Sequence, residues 1–327
     1  MSRVKRVVIQ FALLLGLALL PGCLHLPVAS RPRPAAQVPA AFLESIAYAK
    51  PDNLVVRSTP PQTNSPFNVR RVEIQSAMRP AGNDRTLALD CYTPNKVKPA
   101  PVILILPIIG GDYPLEQHFA RYFARHGMAA VLVRRDKFVK GERFDQIDAV
   151  LRQCTIDARQ ALDWIETQPE YDASRIGLFG VSMGAIRGAL LLPAEPRIRA
   201  ATLGLVGGDL PWILANTEEP SIAKRRRAVM NKENISRREL EERLRTVVTL
   251  DPAAVASSVD PRKVFLVLAA CDTSVPVRKG WELRRLMGKP ETMIVPAGHY
   301  SALLFIPCIR AQTLRFFRER FAEPRRQ

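Results

Sequence analysis

Histidine and cysteine are scarce in this chain, with four of the first and five of the second in 327 residues. The cysteines lie far apart, at 23, 91, 154, 271 and 308, with no C-x-x-C pair, which argues against a zinc site. Beyond the N-terminus no apolar stretch is long enough to span a bilayer, which argues against a multi-span membrane protein. No internal repeat occurs and nothing resembles a propeller. The formal net charge of +17 favours anionic surfaces such as lipid headgroups or envelope polymers. It comes without any nucleic-acid-binding motif, so no nucleic-acid partner is expected. The 47% hydrophobic content is ample for one large core.

The N-terminus reads as an export signal. Arg3, Lys5 and Arg6 precede an apolar run from Val7 to Leu20, which is short for a stable transmembrane helix. Leu20-Pro21-Gly22-Cys23 then resembles a bacterial lipobox, although Pro21 stands where a small or β-branched residue is usual. The resemblance implies cleavage after residue 22 and lipid on the Cys23 thiol. Cleavage after Val28-Ala29-Ser30, or an uncleaved anchor, are the alternatives. Loss of residues 1–22 takes the formal charge from +17 to +14. An exported chain permits disulfides among the other four cysteines, with Cys271–Cys308 the first pair to test. Residues 24–40, rich in Pro and Ala, read as a flexible tether, so 23–66 forms a lipidated N-terminal segment.

From about residue 67 to 322, strand and helix patterns alternate. Val69–Ala77 and Thr86–Tyr92 read as an antiparallel hairpin. Pro101–Leu106 is a continuous apolar run, as befits a central parallel strand buried on both faces. Further strands fall at Met128–Val133, Arg175–Val181, Ile198–Val206, Val264–Ala270 and Thr292–Val295, with helices between and a closing helix over Tyr300–Phe321. The pattern predicts an α/β fold: a mostly parallel eight-stranded sheet with helices on both faces. The rhythm breaks over about 208–260, a charged helical stretch expected to form a lid. Its basic stripe through 224–245 interleaves with Glu239, Glu241 and Glu242 and reads as a solvated helix face.

Gly180-Val181-Ser182-Met183-Gly184 ends one of these strands and opens a helix, the context of a nucleophile elbow. A turn this tight needs residues without bulk two places either side of the serine. Ser182 is the candidate nucleophile, and the Met183 N–H points where an oxyanion would form. A serine hydroxyl needs a base. His25 lies in the N-terminal segment and His118 and His126 in an upstream helix. His299 follows the last strand, at the end of the sheet where the elbow sits, and is the candidate base. Asp272, after the strand ending at Ala270, completes the order Ser, Asp, His; Asp209 is the alternative acid. Asp251 and Asp260 precede that strand and are expected at its opposite end. A second oxyanion donor is expected from Ile108 or Ile109, in the turn Pro107-Ile108-Ile109-Gly110-Gly111, because Pro107 has no N–H.

Together these residues resemble the α/β-hydrolase superfamily. Asp172 to Gly184, Asp272-Thr273-Ser274-Val275-Pro276 and Gly298-His299 place the nearest resemblance with dienelactone-hydrolase and prolyl-oligopeptidase-like esterases. Dienelactone hydrolases proper carry cysteine where Ser182 stands. The resemblance implies a serine hydrolase that cleaves a carboxylic ester or related acyl bond of a small-molecule substrate, with no cofactor and no metal. A peptidase or acyltransferase on the same triad, or a non-catalytic envelope lipoprotein using the fold as a scaffold, are the alternatives. The expected location is the bacterial cell envelope, as a membrane-anchored lipoprotein facing the periplasm, or else soluble in the periplasm or secreted.

Overall fold

The apolar run at the centre of the chain forms a strand with all seven residues, Ala100–Leu106, buried. Its side chains alternate between two cores. Val102, Leu104 and Leu106 face one, while Ile103 and Ile105 face the other, as the period of a strand requires. This computed structural model describes residues 23–50, 55–64, 66–77, 85–108, 113–134 and 146–324. The signal sequence expected over 1–22 lies outside them, as does Ile109.

In chain order the elements are β1 Leu24–Leu26, α1 Ala40–Ser45, β2 Val55–Ser58, β3 Gln62–Asn64, β4 Phe67–Gln75, β5 Thr86–Pro94, β6 Ala100–Leu106, α2 Pro114–Arg125, β7 Ala129–Val133, α3 Ile147–Glu166, β8 Tyr171–Val181 and α4 Met183–Ala194. There follow β9 Ile198–Gly204, α5 Leu210–Asn216, α6 Pro220–Glu233, α7 Arg237–Val247, α8 Pro252–Val255, β10 Val264–Ala269, α9 Val277–Leu286, β11 Glu291–Val295 and α10 Ile306–Ala322.

The sheet runs β1-β11-β10-β9-β8-β6-β7-β5-β4-β2, with β3 also pairing β4. The six strands from β11 to β7 are parallel; β5, β4, β2, β3 and β1 are antiparallel additions. The expected eight strands are β4 to β11, and the described residues add three short ones, β1 to β3. The sheet is thus mixed. On one face α3 and α4 pack through Leu162, Trp164 and Leu190; on the other, α2 and α10 contribute Phe119, Phe123, Phe316 and Phe317.

Two expectations need correction. Residues 24–40 are not a free tether. β1 pairs with the edge strand β11, the Ala36 N–H donates to Ser257 O at 2.8 Å, and Arg33 donates to Leu286 O at 2.7 Å. An open parallel edge offers unpaired N–H and C=O groups, and even a three-residue strand satisfies some of them. The closing helix also begins later than expected. Residues 301–305 form a 3₁₀ turn, and α10 starts at Ile306 with Pro307 in its first turn, where a missing N–H costs nothing.

The stretch 208–260 is helical, as expected, and spans α5 to α8. Leu210, Ile213, Leu214, Leu240 and Leu244 are buried against the main core. Three cations of its basic stripe pair with acids of the same stretch: Arg238 with Glu242, Arg245 with Glu241, and Arg243 with Glu233. Arg226 is instead buried, donating to the carbonyls of Leu214 and Thr217.

Candidate active site

β8 ends and α4 begins with one residue between them, Ser182, at φ 53° and ψ −121°. This backbone is strained for any residue with a side chain, and it projects the hydroxyl above the sheet. The turn is held by the Ser182 N–H donating to Gly204 O at 2.8 Å, and by Ser182 O accepting from Ile186 N–H at 3.0 Å. Glycine on either side is a steric requirement. A Cβ at Gly180 would lie 2.5 Å from the Gly184 carbonyl, and one at Gly184 would lie 2.2 Å from Leu106 O.

β11 and β10 deliver the partners. The loop after β11 brings His299 Nε2 to 3.1 Å from Ser182 Oγ. The turn after β10 brings Asp272 Oδ2 to 2.8 Å from His299 Nδ1. Asp272 is 4% exposed, and its Oδ1 accepts the N–H groups of Ser274 and Val275, both at 2.9 Å. An acceptor-only carboxylate at Nδ1 places the ring proton there and leaves Nε2 free to accept from the serine hydroxyl. The three residues expected from sequence are therefore brought together in one hydrogen-bonded line.

Asp209, the alternative acid, is turned elsewhere. Lys279 Nζ donates to Oδ2 at 2.8 Å and Arg245 to Oδ1 at 3.0 Å. Burial works to raise its pKa, but those two cations hold the carboxyl below its ordinary range. Asp251 is not at the opposite end of the sheet, as expected, but beside Asp209. It accepts the N–H groups of Asp209 and Leu210 at the start of the helical insertion. Its carboxylate serves there as a backbone clamp.

The oxyanion donors divide. Met183 opens α4 directly after Ser182, so its N–H has no acceptor within the helix. Ile108 does not match expectation, because its N–H donates to Glu116 Oε1 at 2.7 Å. Glu116 lies in the first turn of α2, 2% exposed, and burial raises its carboxyl above the ordinary range. Nearby, fully buried Arg187 of α4 donates to Pro107 O at 3.3 Å. Its Nε and Nη2, and Glu116 Oε2, have no hydrogen-bond partner among the described residues. Glu116 and Arg187 thus grip the chain on either side of the 107–108 peptide, and no sequence motif marked them.

Two hollows meet at Ser182 and His299. A narrow apolar cleft lies under the insertion, lined by Met183, Ile213, Leu214 and Ile222. A far larger cavity, about 690 Å³, runs on the α2 and α10 side. Glu219 stands at their junction; its Oε2 accepts the Ile222 N–H at 2.8 Å and its Oε1 accepts from the Tyr300 hydroxyl at 3.4 Å. Sequence reading missed Glu219, whose only local sign was its place before Pro220 at the start of a helix.

None of the five cysteines is in a disulfide, so the Cys271–Cys308 pair is not formed. Cys23 instead lies against Cys308. Burial, and then the thiol–thiol hydrogen bond to Cys308, push its pKa up to about 11. Among the described residues no helix is long and apolar enough to cross a membrane.

The serine elbow, the mixed sheet and the two-sided helical cover define an α/β-hydrolase fold. No family model and no curated protein matches the chain. Solved structures do. Acetyl xylan esterase 1 from Thermoanaerobacterium sp. JW/SL YS485 is similar with a TM-score of 0.67 at 14% identity, over 88% of this chain and 96% of that one. An acetyl xylan esterase from Paenibacillus sp. R4 gives 0.62 at 17%, over 85% and 91%. The glucuronoyl esterase from Solibacter usitatus gives 0.57 at 16%, over 90% and 99%. At these identities the likeness establishes the fold.

Proposed function

We propose that this chain is a serine hydrolase that cleaves a carboxylic ester through an acyl-enzyme. The observation that carries the reading is the line Asp272–His299–Ser182, with contacts of 2.8 and 3.1 Å, on an elbow strained for this use. His299 Nε2 takes the hydroxyl proton as Ser182 Oγ bonds to the acyl carbon. The Met183 N–H steadies the resulting oxyanion. The C–O bond to the alcohol then breaks, and His299 returns the proton to the departing oxygen. Water enters, gives its proton to His299, and bonds to the acyl carbon. The Oγ–acyl bond breaks and the proton goes back to Ser182. Throughout, Asp272 accepts from Nδ1 and stabilises the imidazolium. The esterases among the similar structures support ester cleavage in general. A fluorophosphonate should label the wild type and not Ser182→Ala, and ester turnover should fall by about 10⁴-fold or more in that variant. A folded wild type that neither labels nor hydrolyses p-nitrophenyl esters would sink the reading.

On the same reading the chain sits in the cell envelope with lipid on Cys23. The charged, then apolar, N-terminus and the sequence Leu20-Pro21-Gly22-Cys23 support it. Radiolabelled palmitate fed to an expressing bacterium should enter the wild type and not Cys23→Ser.

A further inference from the structure

The larger cavity holds a clue to what the ester carries, provided that Ser182 is the nucleophile of a serine hydrolase. The cavity opens at Ser182 and His299 and runs down the sheet face covered by α2 and α10. Phe179, Thr202 and Val267, from three neighbouring strands, line its sheet side, and Phe119 and Ile309 line it from the helices. Thr202 pairs in register with Phe179, three residues before Ser182. At about 3.3 Å per strand residue, that places Thr202 roughly 10 Å below the nucleophile.

Gly204 lies between them on the same face. It is buried, yet nothing presses on the place its side chain would take. The nearest atom to a Cβ there is Val181 Cγ2 at 3.5 Å, an ordinary contact. Its φ is not in the left-handed region either, since among the glycines described only Gly127 and Gly288 have positive φ. Gly180, Gly184 and Gly188 are fixed by contacts under 3.0 Å; Gly204 is required neither by packing nor by backbone. What its missing side chain leaves is open cavity between Ser182 and Thr202. Beyond Ser182 and His299 the lining is mostly apolar, with few polar groups. Thr202 Oγ1 is buried with no partner among the described residues, His118 lines the α2 side, and Glu219 and Tyr300 sit at the mouth. A sugar ring pushed into this space would lose the water on several hydroxyls and find only the Thr202 hydroxyl and the His118 ring to replace it. An alkyl chain would lose nothing.

We propose that the ester carries a straight alkyl arm, seated in this cavity and admitted by Gly204. The depth suits an arm of roughly eight carbons, each adding about 1.3 Å along a zigzag of 1.5 Å bonds. The cavity is the specificity element of the site, and Gly204 is its gate.

The test uses two substrate series on the full chain as exported. The p-nitrophenyl alkanoates from acetate to decanoate lengthen the acyl side, and the alkyl acetates from ethyl to decyl lengthen the alcohol side. In one of the two series kcat/KM should rise by about tenfold or more between the shortest member and the eight-carbon one. The series that rises names the side of the ester that enters the cavity. Gly204→Val should lower the preference for eight carbons over the shortest chain by about tenfold. Ile309→Trp, which narrows the same space from α10, should lower it likewise and serves if Gly204→Val does not fold. If Ser182 labels with a fluorophosphonate but both series are flat or favour the shortest chain, the alkyl arm is wrong. A preference unchanged in both variants removes the cavity from the account. If Ser182 does not label, the serine-hydrolase reading falls, and the alkyl arm with it.

Discussion

Asp209 and Asp272 stand at matching places, each a few residues beyond the carboxyl end of a parallel strand and within reach of basic side chains. Asp272 keeps one oxygen on two backbone N–H groups and turns the other to His299. Asp209 gives both oxygens to Lys279 and Arg245. The difference lies in what the neighbours leave free. Backbone donors fix the carboxylate of Asp272 while sparing one oxygen for a histidine. Two ammonium and guanidinium partners consume Asp209 entirely, and it becomes a pin between α9 and the insertion. A third carboxyl, Glu116, is set against both. It is buried with one oxygen on the Ile108 N–H, and its second oxygen has no partner among the described residues.

These contrasts can be broken in order of expected effect. Asp272→Asn should cut kcat by about 10⁴-fold, because the amide no longer enforces the proton on Nδ1. If Asp209→Asn caused a comparable fall, the assignment of the two aspartates would be reversed. Glu116→Ala should cost about 10- to 100-fold in kcat by loosening the 107–108 peptide beside Ser182. Glu116→Gln should recover most of that, since its amide oxygen still accepts from Ile108. Equal losses in both variants would mean that the charge matters and not the hydrogen bond.

Asp209→Asn should leave kcat within a few-fold but lower stability by about 1.5–3 kcal/mol in urea unfolding, the range for hydrogen bonds to charged groups. The pH dependence of the two carboxyls should have opposite sign. Asp209 is held below its ordinary range, so its stabilisation is complete above the unfolded pKa and fades as pH falls through the lowered folded value. Glu116 is held above its ordinary range, so its contribution is complete below the unfolded pKa and fades as pH rises through the raised one. Asp209→Asn should therefore flatten the acid limb of a stability–pH curve, and Glu116→Gln the limb above it. Curves that superimpose on the wild type would show that neither group titrates differently on folding.

Much of the site could be read from sequence because its signals are local or exclusive. The elbow is a contiguous motif with a steric reason for each glycine, and one histidine among four follows the last strand. Asp272 was legible from its place directly after a strand together with the order Ser, Asp, His, an order that Asp209 also satisfies. The support of the 107–108 peptide was not. Glu116 lies eight residues from Ile108, and nothing in a helical first turn says which backbone its carboxylate will meet. Likewise Leu24–Leu26 is too short to show a period, and its pairing depends on an edge strand more than 260 residues later. Proline-rich composition suggested freedom where docking satisfies backbone groups. The closing helix was expected from Tyr300, and Pro307, a residue suited to a helix's first turn, was passed over.

That docked segment has a mechanical consequence. β1 is antiparallel to β11, so its first residue lies beside the end of β11, the end from which the His299 loop departs. Cys23 meets Cys308 in the first turn of α10, four residues beyond Leu304, which is 81% exposed. Were Cys23 to carry lipid, the protein would have no leash. It would be moored by the rim of its own mouth, unable to swing outward to survey the surrounding fluid. Its working territory would then be the film it is moored to, reached by sideways drift along that surface, and its substrates would have to come to it there.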